Sequence, residues 1–211
     1  MYKSRYKKKY KGIFNILIIM IFVSLYFIFI NKSYLSSEEA KNMIGNIYKD
    51  YEILVTNENY NVNDKYYYTV HANCNETYNK NYSDEVNINS KTYYKIDSNY
   101  QKIGDEEVWN YRFCIDKQTK EIYIEFKNDI GNLIKYDDYN KNIKYALDII
   151  KNIKGYHISH VDVSIENNIY MIHLYEVIKN DGESHTATMG WYTLNLENNQ
   201  LKDFMTDEIL N

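Results

Sequence analysis

The sequence predicts an α+β protein in which an N-terminal transmembrane helix is followed by two units, each with one helix packed on an antiparallel sheet. Three observations lead to this prediction. A basic start runs into an uncharged, largely apolar segment at residues 13–30. Beyond it, the order of an amphipathic helix followed by short strand-like segments occurs twice. The return to a helical pattern near residues 136–139 divides the remaining chain into units 36–136 and 138–211.

The apolar segment reads "IFNILIIMIFVSLYFIFI" and contains no charged residue. As a helix it spans roughly 27 Å, which is close to the hydrocarbon thickness of a bilayer. Six Lys or Arg residues precede it within residues 1–12, and only Lys32 follows it closely. The positive-inside rule therefore predicts a cytoplasmic tail at residues 1–12, a single-pass signal anchor in the cell membrane at residues 13–30 and an extracellular C-terminal region.

A cleaved secretory signal has the same order of basic and apolar residues and is the alternative interpretation. The exit from the segment, "INKSYLSSEEA", lacks the small residues of a cleavage site, which favours the uncleaved anchor. Both interpretations export the remaining chain. The expected partner of residues 13–30 is the lipid bilayer. Nucleic acid is not an expected partner, because the 199 residues after the basic tail carry 19 basic and 29 acidic side chains, a net charge of −10.

The first unit begins with "SSEEAKNMIGNIYKDY", whose apolar residues recur at helical spacing. Ser36 and Glu39 have the S-x-x-E spacing of a capping box, which predicts the start of this helix. One apolar helix face requires a sheet to cover it. The segments with strand-like composition are residues 52–56, 65–72, 92–97, 108–116 and 121–128.

The second unit begins with a helix near Asp138, and Gly155 is a suitable C-terminal stop for it. The predicted strands that follow are residues 160–166, 169–178, 186–196 and 200–205. The sequence "FCIDKQTKEIY" at 113–123 can be laid over "YTLNLENNQLK" at 192–202, so that Phe113 matches Tyr192 and Ile122 matches Leu201. A divergent duplication would explain this match.

A helix followed by a meander whose last hairpin reads aromatic-x-aliphatic, polar turn, aliphatic resembles the PepSY-like domains of cell-envelope proteins and lipoproteins of low-GC Gram-positive bacteria. The resemblance is best over residues 138–205. The glycine that this family usually has in the hairpin turn is replaced by Lys120 and Asn199. The resemblance implies a non-catalytic extracytoplasmic module that binds or restrains a protein partner, and it supplies no catalytic residues.

The hairpin at residues 176–191 contains the predicted binding residues. "KNDGES" is a strong turn signal between two strand-like runs. Simple alternation on the return strand places Thr186 and Thr188 on one face and Ala187, Met189 and Trp191 on the other, and Gly190 indicates a bulge or room for a neighbouring ring. The candidate binding residues are Glu183, His185, Trp191 and Tyr192.

The remaining histidines and the cysteines offer weaker candidates. His157 and His160 form H-x-x-H, but they follow the helix stop at Gly155, so no metal site is expected. His173 lies in an apolar strand, which is typical of a hydrogen-bonded sheet histidine. Cys74 and Cys114 are the two cysteines, and an oxidising envelope would permit a disulfide between them.

These observations predict a membrane-anchored extracytoplasmic binding or regulatory module that contacts a protein or cell-wall partner. We expect no enzymatic activity, no metal and no cofactor, because the sequence contains no phosphate loop, nucleophile elbow or zinc motif. One alternative is a surface hydrolase that uses the 176–191 hairpin, with Glu176, Glu183 and His185 as an acid-base or metal cluster. The other alternative is a structural subunit of an envelope machine.

Overall fold

A computed structural model describes residues 18, 20, 21, 34–49, 51–74, 85–88, 91–94, 100–180 and 183–211, with backbone only for 74, 85–88, 91–94, 179–180 and 183–184. The chain divides into two compact units, residues 1–34 and 35–211. Residues 35–211 have mixed α+β structure, which confirms the predicted class. The predicted anchor, residues 13–30, falls outside the described residues except at positions 18, 20 and 21. In the described part of the chain, no helix is long and apolar enough to cross a bilayer.

Helix α1, Ser37–Ile47, begins where the capping box predicts. The hydroxyl of Ser36 accepts a hydrogen bond from the backbone N–H of Glu39 at 3.2 Å, and the Glu39 carboxylate accepts one from the Ser36 N–H at 2.8 Å. Two N–H groups that the helix leaves unpaired are thus satisfied. The helix buries Ala40, Ile44 and Ile47 against the sheet that follows.

The next nine strands, in chain order, are β1 Tyr51–Val62, β2 Lys65–Cys74, β3 Glu85–Ile88, β4 Lys91–Tyr94, β5 Gln101–Ile103, β6 Glu106–Val108, β7 Tyr111–Asp116, β8 Ile122–Phe126 and β9 Ile134–Lys135. The first sheet is antiparallel, in the order β1-β2-β7-β8-β9. Of the predicted strand at 92–97, residues 92–94 are described and do not join this sheet, because β4 pairs with β3 in a separate hairpin. Strand β5 pairs with β6 in another hairpin. Both hairpins lie in the long connection between β2 and β7.

Helix α2, Tyr136–Lys154, begins two residues before the predicted start and ends as predicted. Gly155 follows it in the left-handed conformation, with φ of 67°, and donates its N–H to the carbonyl of Lys151. A residue with a Cβ is strained in this conformation, which is why glycine is favoured there.

The second sheet comprises β10 His160–Glu166, β11 Ile169–Asn180, β12 Glu183–Asn195 and β13 Gln200–Asp203, all antiparallel and in chain order. Its first hairpin closes with Asn167 and Asn168, both at positive φ, as Asn63 and Asp64 close the β1–β2 hairpin. Two left-handed residues are the signature of a two-residue type I′ turn.

The β7–β8 turn of the first sheet and the β12–β13 turn of the second share one hydrogen-bonding pattern. The Oδ1 atom of Asp116 accepts the N–H of Gln118 at 2.7 Å, and the Oδ1 atom of Asn195 accepts the N–H of Glu197 at 2.8 Å. The last turn residues, Lys120 and Asn199, have φ of 61° and 53°. These are the positions that the sequence overlay of 113–123 with 192–202 places together.

The strand register extends this correspondence to the neighbouring strands. Val70 pairs with Phe113, and Ile172 pairs with Tyr192. Since the overlay matches Phe113 with Tyr192, His71 of β2 and His173 of β11 occupy the same place in their sheets. The sequence around them is also similar, with "YTVH" ending at His71 and "YMIH" ending at His173.

Both sheets and both helices contribute to one hydrophobic core. Tyrosines fill much of its volume, and the hydroxyls of Tyr48 and Tyr136 lie 2.8 Å apart within it. Because side chains alternate along a strand, the residues between the core residues lie on the opposite side of each sheet, which we call its outer face. The polar and aromatic residues of functional interest lie on these two outer faces.

Candidate functional site

The outer face of the first sheet contains a buried ion pair between neighbouring strands. Nε of Arg112 on β7 lies 2.6 Å from Oε2 of Glu125 on β8, and the Glu125 side chain is 0 % exposed. The other carboxylate oxygen accepts the hydroxyl of Tyr60 at 2.5 Å and the backbone N–H of Gly131 at 2.7 Å. A buried charge is tolerated when it is paired and hydrogen-bonded in this way.

Aromatic rings cover the guanidinium of this pair. Cζ of Arg112 lies 4.3 Å from the ring centre of Tyr60 and 4.7 Å from that of Trp109, so both contacts are cation–π interactions. Burial, followed by the hydrogen bond to Glu125, raises the pKa of Tyr60 to about 12. The phenol therefore remains a hydrogen-bond donor at neutral pH.

His71 lies on the same outer face and is fully buried. Among the described residues, neither of its ring nitrogens has a hydrogen-bond partner. Burial, with a smaller contribution from the charge of Arg112, lowers the pKa of His71 to about 3. Its ring centre lies 4.3 Å from that of Tyr100 and 5.8 Å from that of Trp109. His71 is therefore a neutral imidazole packed between rings.

The chain between β2 and β7 supplies the cover over His71. The side-chain amide of Asn73 donates to the carbonyl of Tyr100 and accepts from its N–H, each at 2.9 Å. Tyr100 and Trp109 both belong to this connection. The first outer face is thus covered by the protein's own chain around His71 and Arg112, and its charged groups support the fold.

The outer face of the second sheet carries four stacked rings, His160, Tyr175, His173 and Trp191, which we call the ring stack. His173 and Trp191 lie 3.9 Å apart between ring centres and are nearly parallel, at 7°. Tyr175 lies 5.1 Å from His173 on one side and 5.1 Å from His160 on the other. Residues of three adjacent strands, β10, β11 and β12, therefore form one continuous aromatic row.

Polar groups border the ring stack. Nε2 of His173 lies 3.1 Å from the hydroxyl of Thr188, and its Nδ1 lies 3.9 Å from the carboxylate of Asp162. The Asp162 side chain is 64 % exposed, whereas that of His173 is 16 % exposed. Burial lowers the pKa of His173, and the nearby Asp162 carboxylate only partly opposes this shift. At neutral pH the surface therefore combines neutral rings with an exposed carboxylate.

The predicted hairpin residues do not form one cluster. His185 and Glu176 are both exposed, and the pairing of Ile178 with His185 and of Glu176 with Ala187 places them on the same face of the hairpin. For Glu183 only the backbone is described, at the start of β12. Tyr192, in contrast, is 1 % exposed and belongs to the core, so it is not available to a partner.

The position of Trp191 also differs from the prediction, because the register shifts between Leu174 and Tyr175. Leu174 pairs with Gly190 and Tyr175 with Thr188, which leaves Met189 as an extra residue in β12. Trp191 consequently lies on the same face as Thr188, and not with Ala187. Gly190 has both of the roles that the sequence indicated. It adjoins the bulge, and a Cβ on it would lie 2.7 Å from the Tyr192 hydroxyl, so it makes room for that ring.

The two other histidines of the sequence prediction lie in different surroundings. His157 is exposed, while His160 is buried within the ring stack. Across the described residues, no three His, Cys, Asp or Glu side chains are grouped as metal ligands. His173 is the hydrogen-bonded sheet histidine that its strand predicted.

The strand register does not fit a disulfide between Cys74 and Cys114. Cys114 is a free, buried cysteine whose backbone pairs with Thr69 of β2. Cys74 is five residues farther along β2, paired with Tyr51. Five residues of strand span about 16 Å, more than twice the Cα separation that a disulfide bridges. Burial raises the pKa of the Cys114 thiol, which makes it an unreactive core residue.

Sequence reasoning missed the cluster on the first sheet. Its members come from strands or connections far apart in the chain, namely Tyr60, His71, Tyr100, Trp109, Arg112 and Glu125. The recurrence of "YTVH" and "YMIH" was the one signal that pointed to paired positions. Only the register shows that both histidines lie on outer faces.

Comparison with known proteins adds no assignment: no family model, no curated protein and no solved structure matches this chain.

Proposed function

We propose that this protein is a non-catalytic binding or regulatory module of the cell envelope, and that the ring stack on the second sheet contacts its protein or wall partner. One observation carries the proposal. On the first sheet His71 and Trp109 are buried, whereas Trp191 and Tyr175 at the corresponding face of the second sheet remain partly exposed. Aromatic rings left accessible on a folded surface are typical of recognition sites.

The proposed architecture is a single transmembrane anchor at residues 13–30 and two helix-on-sheet units, 36–136 and 138–211. The uncharged anchor segment and the basic tail at residues 1–12 support the membrane location and an extracellular C-terminal region. The matched turns and the matched histidines support a duplicated origin of the two units. For the PepSY-like resemblance, the left-handed Lys120 and Asn199 stand where that family usually has glycine.

A surface hydrolase and a structural subunit of an envelope machine are the alternatives. The hydrolase requires His185 to act with a neighbouring carboxylate within a pocket that excludes water. His185 and Glu176 are both exposed, which favours the binding function instead.

A crosslinking pull-down from intact cells tests the proposal. The chain carrying His173→Ala and Trp191→Ala is compared with the unaltered chain and with Tyr66→Ala, which removes a ring that is 55 % exposed on the first sheet. We expect a crosslinked partner to be lost only from the ring-stack variant. If that variant is folded by circular dichroism and retains every partner, the ring stack is not the recognition surface.

A further inference from the structure

We propose that one end of the first sheet rests on the lipid headgroups of the bilayer, with the ring of Tyr66 among them. This end consists of the β1–β2 turn with the start of β2, residues 63–66, and of the β7–β8 turn, residues 117–120, and we call it the proximal end. The inference rests on the transmembrane anchor of the proposed function. It adds a second contact with the membrane, made by the sheet itself.

Leu35 fastens the start of residues 35–211 to the proximal end. It is 2 % exposed, and its backbone N–H donates to the carbonyl of Lys117 at 3.0 Å. The N–H of Lys117 in turn donates to the carbonyl of Tyr66 at 3.1 Å. These two hydrogen bonds hold Leu35 beside both turns of the proximal end.

The connection between the predicted anchor and Leu35 is short. The anchor ends at Ile30, so only residues 31–34 lie between the two. A fully extended chain spans about 17 Å over this interval, and the headgroup layer is itself roughly 5–7 Å thick on each side of the bilayer. In the proposed topology, the proximal end therefore stays close to the headgroups, whichever way the strands of the sheet point.

The side chains of the proximal end suit the headgroup layer. Tyr66 is 55 % exposed. Tyrosine is enriched at membrane–water interfaces, because its ring can lie against apolar chains while its hydroxyl reaches polar groups. Three basic and three acidic side chains lie in these turns or in the first turn of α1, namely Lys65, Lys117, Lys120, Asp64, Glu38 and Glu39. Because these charges balance, the contact should not depend on the charge of the lipid.

The opposite end of the first sheet supplies a matched control. The β5–β6 hairpin precedes β7, whose six residues span about 20 Å. The residues that flank this hairpin, Tyr100 and Trp109, contact His71 near the far end of β2. Ile103 on the hairpin is 62 % exposed, which is close to the exposure of Tyr66. Two similarly exposed apolar side chains are thus expected to differ in their distance from the lipid.

Fluorescence quenching in nanodiscs tests the inference. The full chain, carrying Cys74→Ser, is reconstituted in phosphatidylcholine nanodiscs in which part of the lipid has a nitroxide on its headgroup. A bimane label is attached at Gln118→Cys, in the exposed β7–β8 turn, or at Ile103→Cys. The buried thiol of Cys114 is not expected to react, and the Cys74→Ser parent verifies this.

We expect the nitroxide to quench the label at position 118 roughly twofold and to leave the label at position 103 unchanged, because only the proximal end lies among the headgroups. Tyr66→Ser should reduce the quenching at position 118, whereas Ile103→Ser, its matched control, should not. Replacing part of the phosphatidylcholine by phosphatidylglycerol should change neither result.

The inference is overturned by equal quenching at the two positions, by quenching that requires phosphatidylglycerol, or by quenching at position 118 that is unaffected by Tyr66→Ser. The last result would mean that the short connection alone holds the proximal end near the lipid. Elution with the nanodiscs separates this failure from failure of the proposed anchor. A chain that stays with the nanodiscs without quenching at position 118 lacks only the second contact, whereas a chain that elutes apart from them contradicts both proposals.

Discussion

The outer faces of the two sheets both combine aromatic rings with a carboxylate but differ in their exposure to solvent. On the first, His71 is fully buried against Tyr100 and Trp109. Glu125 is also fully buried, bonded to Arg112 and Tyr60. On the second, the Asp162 side chain is 64 % exposed. The connection between the second and third main strands contributes to the difference at the histidines. It spans residues 75–110 in the first sheet, where it supplies Tyr100 and Trp109 over His71, and only residues 181–182 in the second. Similar strand patterns can therefore be buried or exposed, depending on the loop that connects the strands.

Removing one carboxylate from each outer face should give the largest contrast. Glu125→Gln leaves the nearly buried guanidinium of Arg112 without its counter-charge, so we expect a loss of about 3–5 kcal/mol of unfolding free energy. Asp162→Asn should cost less than about 0.5 kcal/mol, because that side chain is exposed. Urea denaturation at neutral pH measures both. Equal, small losses would mean that water reaches the first ion pair.

The buried histidine should make stability depend on pH. The pKa of His71 in the folded protein, about 3, lies below the unfolded value of about 6.5, so the unfolded chain binds the proton more readily. The contribution of His71 to stability is therefore complete above pH 6.5 and decreases as the pH falls toward 3. At pH 5 the loss is about 2 kcal/mol.

Replacing this histidine isolates its effect. We expect His71→Phe, which keeps a ring against Tyr100, to lose about 2 kcal/mol less than the unaltered chain between pH 7 and pH 5. His173→Phe should reduce the loss by a smaller amount, because the pKa of that partly exposed histidine is lowered in the same direction with less burial. His157→Phe, at an exposed site, is the control. Urea denaturation across this pH range would contradict the assignment if His71→Phe followed the unaltered curve.

The paired turns should give the smallest contrast. Lys120 has φ of 61°, where a side chain with a Cβ is strained, so Lys120→Gly should stabilise the protein by about 1 kcal/mol. Asn199, at 53°, tolerates this conformation better, and Asn199→Gly should gain less than about 0.5 kcal/mol. Thermal unfolding of the two variants compares them. A greater gain at Asn199 would mean that backbone strain does not govern these turns.

Local signals in the sequence were sufficient for the ends of the helices. Ser36 and Glu39 are three residues apart, so one turn of helix brings them into contact. Gly155 ends the helix through its own left-handed backbone conformation. The matched turns at 116–121 and 195–200 were also visible as an overlay, since turn conformation depends on a few consecutive residues. Such features can be predicted because all of their partners are close in the chain.

Features that depend on distant residues could not be predicted in this way. The face on which Trp191 lies depends on the bulge at Met189, because one extra residue reverses the alternation of a strand. The separation of Cys74 from Cys114 has a related origin, since the pairing of β2 with β7 sets the distance between the two cysteines. A local sequence pattern does not specify how a strand aligns with its neighbour in the sheet.

The sequence alone determined the α+β class, the helix caps and the turn residues, because these follow from composition, periodicity and contacts within a few residues. Only the tertiary structure decided that His71 and Glu125 are buried and that Trp191 and Asp162 face outward. Burial is a property of what packs on a surface. The rings that cover His71, those of Tyr100 and Trp109, lie 29 and 38 residues farther along the chain.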